Sequence, residues 1–307
     1  MKMKNNKIAI AGIISNPVTS LNSHNGGWTL VLKNIFNADI ITEKDDWNLY
    51  DSIILSEGVN YKEGKFNFFG GVQDSFFIRL EKINNFTGDV FCVNEYLDYN
   101  VVCKKRKELN GCTFNVIPQQ LDTKHLIKQK LILGDSHCIS IYKPGYSIDR
   151  NDGKTLNGFL NKGLKTYINN NVEELIFYAG NIDVRFHIHR FEGRKTVVDL
   201  IKRLFEQLQE LKLKKITLVS LLPIEDESRK LPGTGLYKGQ KFFGTKEERT
   251  YYVKEFNSLL KRGCKHYGYD LIEWDFDYDN GLSFEDMESK QSVHLRPKSY
   301  KFINDLL

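Results

Sequence analysis

Short apolar runs of strand length recur along the whole chain, and amphipathic stretches fall between them. KLILGDS (130–136), ELIFYAGNID (174–183), KITLVSLLP (215–223) and YDLIEWDFD (269–277) are four buried-strand candidates. Between them, 155–169, 194–212 and 246–266 carry helical spacing. In KTVVDLIKRLFEQLQELK (195–212) the apolar positions 197, 198, 200, 201, 204, 205, 208 and 211 form one face. The first part of the chain repeats the pattern, with strands expected in 7–14, 38–42, 50–58, 88–97 and 112–120 and helices in 27–36 and 75–85. Such alternation predicts parallel sheets covered by helices. The polar stretch 118–129 reads as a linker. The expected fold class is therefore α/β, with two Rossmann- or flavodoxin-like domains, 1–123 and 124–307.

Composition narrows the function classes. With 41% hydrophobic and 27% charged residues, the 307-residue chain is globular, and no apolar stretch reaches the roughly 20 residues of a membrane span. MKMKNNKIAIAGIISN is basic and then apolar, but its apolar run is short and Asn-Pro follows. It reads as a first strand, and a cytoplasmic location is expected. Five dispersed cysteines without CxxC spacing indicate free thiols rather than a zinc cluster. A net charge of +5, interspersed with acids, does not favour a nucleic-acid partner. No cofactor is expected.

The chemistry concentrates where strands end. Ser136 follows the first strand of the second domain in Gly134-Asp135-Ser136-His137. Gly180 and Asn181 follow the next strand, and His294 lies in SVHLRPKSY. A serine hydroxyl becomes a nucleophile with a base in reach and donors aimed at the developing oxyanion. The bland reading of Ser136 is a helix N-cap. In GNIDVRFHIHR, Asp183, Arg185, His187 and His189 alternate, so on an extended segment they share a face. That face reads as a pocket wall with Arg185 gripping a carboxylate or phosphate, as a two-histidine metal site, or as a structural Asp–Arg ion pair. His137 is expected beside the serine, half-exposed.

The order and separation of these blocks resemble the SGNH (GDSL-type) hydrolase superfamily over residues 128–307. The resemblance implies a three-layer α/β/α sandwich with a parallel sheet, with Ser136 as nucleophile and His294 as base. Asn181, the Ser136 amide and a glycine amide would form the oxyanion hole, the glycine being Gly158 or, as rival, Gly153. Asp135 would secure the turn. The family's acid, three residues before the histidine, is Gln291 here; Asp286 or Glu288 would have to replace it, or His294 would act as half of a dyad. Asp183, Arg185, His187 and His137 would line the substrate pocket under the loop 222–247. The activity implied is hydrolysis or transfer of an acyl group on a sugar- or nucleotide-like ester. The first 100 residues more loosely resemble phage DNA β-glucosyltransferases, through Asn67-Phe68-Phe69-Gly70-Gly71. That likeness implies the alternative of a two-Rossmann glycosyltransferase acting on DNA. A third reading is an SGNH-fold binding module that has lost turnover.

Overall fold

The structure, a computed structural model, describes residues 7–11, 24–42, 44–55, 59–62, 65–68, 86–94, 114–118, 129–224, 239, 243–283, 285–287 and 293–306. The chain divides into two compact units, Met1–Asp122 with Ile303–Leu307, and Thr123–Phe302.

The first unit contains β1 (Ile8–Ala11), β2 (Asp39–Ile41), β3 (Ser52–Leu55), β4 (Val59–Lys62), β5 (Lys65–Phe68), β6 (Asp89–Asn94) and β7 (Phe114–Pro118). A parallel sheet runs in the order β2-β1-β3-β6-β7. Helix α1 (His24–Phe36) connects β1 to β2. Ile8 and Ile10, two residues apart on one face of β1, pack with Leu32, Ala38 and Ile54. The antiparallel pair β4–β5 was not anticipated. It takes up Asn67 and Phe68, while Phe69, Gly70 and Gly71, the expected helix 75–85 and most of the linker lie outside the described residues.

The second unit contains β8 (Lys130–Gly134), β9 (Ser147–Arg150), β10 (Glu174–Tyr178), β11 (Lys215–Val219) and β12 (Asp270–Ile272). All are parallel, in the order β9-β8-β10-β11-β12. By chain order within the unit this is 2-1-3-4-5, the order of flavodoxin-like sheets, and the first unit has the same order. Sequence reading missed β9: SIDR is four residues long and ends in two charges, so it shows no apolar run. Its strand conformation comes from pairing with β8.

The connection from β8 to β9 runs toward one edge of this sheet, and the later connections run toward the other. Right-handed crossovers therefore place them on opposite faces. A 3-10 turn, Ser136–Ile141, packs on β8 and β9. Helices α2 (Leu156–Lys162), α4 (Arg194–Leu211) and α5 (Lys246–Tyr267) lie side by side. The short α3 (Asn181–Phe186) follows β10. This is the layered arrangement expected of an SGNH-like α/β/α sandwich. On α4 the buried residues are Val197, Leu200, Ile201, Leu204, Phe205 and Leu208; Val198, expected on that face, is exposed. Helix α5 opens with a capping box: Thr245 accepts from the Glu248 N–H at 3.2 Å, and Glu248 accepts from the Thr245 N–H at 2.8 Å. It ends at Gly268 in the left-handed region. A last short helix, α6 (Ile303–Leu306), groups with the first unit. Among the described residues no helix is long and apolar enough to cross a membrane. The thiols of Cys138 and Cys264 are free and buried.

Strand order reverses between β8 and β10. Open α/β sheets leave a crevice at the carboxyl ends of the strands flanking such a reversal. The segments entering it are those that follow Gly134 and Tyr178.

Candidate active site

β8 and β10 end in register, Gly134 opposite Tyr178. A Cβ on Gly134 would lie 2.2 Å from the Tyr178 carbonyl oxygen, so only glycine permits this approach. The Asp135 N–H donates to that same carbonyl at 3.0 Å. The chain then turns. Asp135 accepts the His137 N–H at 2.9 Å and caps the 3-10 turn whose first residue is Ser136. Ser136 is thus held at the strand end, 8% exposed. Its N–H, at the first position of the turn, has no carbonyl partner inside the turn. Asp135 secures the turn as expected, and its burial pushes the carboxyl up to about 7.

His294 arrives from the other end of the unit. Met287 and Leu295, both buried, form an antiparallel bridge, and the Arg296 N–H donates to the Asp286 carbonyl at 2.7 Å. The Arg296 side chain also donates to the Met287 carbonyl. Further on, the Lys301 N–H donates to the carbonyl of Ser140, inside the serine's own turn, at 2.9 Å. Anchored on both sides, His294 places Nε2 at 2.8 Å from Ser136 Oγ, across 158 residues of chain. Of the carboxylates considered for His294, Asp286 accepts from the hydroxyls of Ser283 (2.6 Å) and Ser299 (3.4 Å) and is not bonded to the imidazole. Glu288 and Gln291 lie outside the described residues.

Asn181 opens α3 at the adjacent strand end. Its Oδ1 accepts the Leu222 N–H at 3.2 Å. The neighbouring Leu221 is fixed by Asn257, which accepts its N–H at 2.7 Å and donates to its carbonyl at 3.1 Å. With its oxygen fixed, Asn181 keeps a buried amide nitrogen that makes no hydrogen bond of ordinary geometry, the Tyr178 phenol being its polar neighbour. A buried donor without a well-aligned acceptor is costly, and such groups mark sites built for something else. Gly158 does not join this group. It lies inside α2, and its N–H donates to the capping hydroxyl of Thr155 at 2.9 Å, so it is not available to an oxyanion. The rival Gly153 sits on the turn between β9 and α2, at φ +69°.

The run after Asn181 is helical rather than extended, which changes the reading of its charges. Residues two apart on a helix point about 200° apart, so Asp183 and Arg185 face opposite ways. Asp183 is buried and accepts the N–H groups of Leu156 (2.6 Å) and Asn157 (3.2 Å), tying α3 to the start of α2. Burial raises its carboxyl to about 6, against the pull of those hydrogen bonds. Arg185 instead reaches His137, Nη2 to Nε2, at 3.3 Å. His187 stacks on Phe191 at 6.3 Å and is held below its ordinary pKa by burial and by Arg190. His189 meets Tyr252 edge-on at 4.8 Å. The four do not form one wall. Among the described residues no group of three His, Cys, Asp or Glu side chains is placed to hold a metal ion.

His137 is fully buried rather than half-exposed, its ring centroid 5.0 Å from that of His294 and 6.2 Å from that of Tyr178. Sequence reading named Ser136, His294 and Asn181, and missed the Arg185–His137 contact. That contact depends on the helical form of 181–186, and six residues carry too little periodicity to signal it.

No protein-family model matches the chain, and no curated protein matches it. Solved structures similar to it include the following two. One, described as a platelet activating factor protein from Streptococcus pneumonia, is 16% identical, with a TM-score of 0.42 over 68% of this chain and 93% of that one. The other, described as a lipolytic protein of the G-D-S-L family from Desulfitobacterium hafniense DCB-2, is 16% identical, with a TM-score of 0.38 over 58% of this chain and 97% of that one. At that level the similarities assign no role to any residue.

Proposed function

We propose that the second unit is a serine hydrolase or acyltransferase of the SGNH type, working through Ser136 and His294. The observation that carries this reading is the 2.8 Å approach of Ser136 Oγ to His294 Nε2, made between segments 158 residues apart. The buried Asn181 amide at the next strand end, which makes no hydrogen bond of ordinary geometry, supports it.

As Ser136 Oγ bonds to the carbonyl carbon of an ester, its proton passes to His294 Nε2. The carbonyl oxygen becomes an oxyanion, met by Asn181 Nδ2 and the Ser136 N–H. On collapse the bond to the leaving alcohol breaks, and His294 returns the proton to that alcohol. Water, or an acceptor alcohol in a transferase, then attacks the acyl-serine; His294 takes its proton and restores it to Ser136 Oγ as the acid or new ester leaves. The substrate proposed is an ester on a sugar- or nucleotide-like alcohol.

A fluorophosphonate probe, with mass spectrometry of the labelled peptide, tests the reading. Label is expected on Ser136. Ser136→Ala should remove both labelling and release of p-nitrophenol from p-nitrophenyl acetate, by about 10⁴-fold or more. Asn181→Ala should slow ester turnover by about 10²–10³-fold. Label on another residue, or turnover indifferent to Ser136→Ala, would sink the proposal. Thermal stabilisation by a nucleotide-sugar, with no esterase activity, would favour the glycosyltransferase alternative.

A further inference from the structure

Arg185 and His137 meet in the interior beside the Ser136–His294 contact. Arg185 is 4% exposed and His137 1%. Guanidinium Nη2 lies 3.3 Å from imidazole Nε2. A guanidinium offers only donors and does not lose its proton. The nitrogen it faces must therefore be the acceptor, and an accepting ring nitrogen carries no hydrogen. The single ring proton of His137 then sits on Nδ1. Burial and the charge of Arg185 both oppose a second proton on this ring.

Among the described residues, the other groups facing His137 are consistent with a neutral ring. From the end of β8, the Asp135 carboxyl accepts the His137 backbone N–H and interacts electrostatically with Arg185. From β10, Tyr178 presents a phenol whose ionisation burial and Asp135 oppose. From the C-terminal segment, the His294 ring lies 5.0 Å away at an interplanar angle of 54°. The other carboxyl of α3, Asp183, is turned to the start of α2.

We propose that Arg185 is a positioning residue for the site: it fixes His137 as a neutral imidazole protonated on Nδ1, and this ring is one surface against which His294 is held facing Ser136. A neutral neighbour also leaves His294 as the one imidazole that gains charge when the serine proton is transferred. Were His137 free to protonate, mild acid would put a second cation against His294 and withdraw the base. This inference rests on the functional reading above for its kinetic arm alone.

The test uses the full chain with ¹⁵N-labelled histidine. Ring nitrogen shifts of His137, assigned by loss in His137→Gln, are expected to show a protonated Nδ1 and an unprotonated Nε2 from about pH 8 down to about pH 5.5, below the ordinary histidine range. A His137 that titrates like a free histidine, or that carries its proton on Nε2, overturns the proposal. In the kinetic arm, Arg185→Met should cut fluorophosphonate labelling of Ser136 at least about tenfold more near pH 6 than near pH 8. Arg185→Lys, which keeps a charged donor, should retain the wild-type profile. An equal loss at all pH values in both variants marks a merely structural role and overturns the proposal. If Arg185→Met does not fold, the wild-type nitrogen shifts decide. An unlabelled wild-type Ser136 would overturn the functional reading and the positioning role together, whereas the shifts report on the Arg185–His137 pair whatever the chemistry.

Discussion

At the scale of single residues, the site is built from groups whose ordinary chemistry is altered by burial. Asp135 is the sharpest case. Its carboxyl is raised to about 7 by desolvation, against the N–H it accepts from His137. In the unfolded chain it would titrate near 3.9. Between those values the folded protein holds a proton that the unfolded chain has lost, so this group's contribution to stability falls as pH rises through about 4 to 7. Asp183, raised to about 6, acts with the same sign. Asp135→Asn keeps an oxygen to cap the turn and cannot ionise. Its stability relative to the wild type should therefore improve by more than about 1 kcal/mol between about pH 5 and pH 8, since each pKa unit is worth about 1.4 kcal/mol. Urea midpoints at the two pH values check this; a difference that does not change with pH would contradict the buried, proton-holding carboxyl.

At the scale of elements, helix α5 is specified at both ends by its own sequence and at its middle by its neighbour. Thr245 and Glu248 start it, and Gly268 stops it. Gly263, inside the helix, has no local reason to be glycine, which disfavours helix by about 1 kcal/mol relative to alanine. The reason is Phe205 of α4: a Cβ at 263 would lie 2.1 Å from that ring. Gly263→Ala should therefore destabilise by about 1–3 kcal/mol, through overpacking, despite its better helix propensity. Thermal or urea unfolding of the variant measures it, and a gain in stability would show that the α4–α5 contact is looser than described. Helices α4 and α5 could be read from their period. Strand β9 and the helical form of 181–186 could not, because four residues or six carry too little periodicity to compete with tertiary pairing and capping.

At the scale of the molecule, both units arrange their parallel strands in the same order, and the second places its polar strand ends at the reversal between β8 and β10. Ser136 and His294 meet only if the second unit is intact. Fluorophosphonate labelling should therefore vanish along the urea transition reported by Trp274, in a Trp28→Phe/Trp47→Phe background, and not as a gradual decline before it. Labelling that survives this transition would mean that the serine reacts without its base. The sequence by itself determined the alternation of strands and helices, the glycine and polar residues at strand ends, and the choice of Ser136, Asn181 and His294 as candidates, because these follow from local periodicity and side-chain chemistry. The tertiary structure alone decided that His294 reaches Ser136 and that Arg185 meets His137. Those outcomes depend on strand register, crossover handedness and burial, which join residues far apart in the chain.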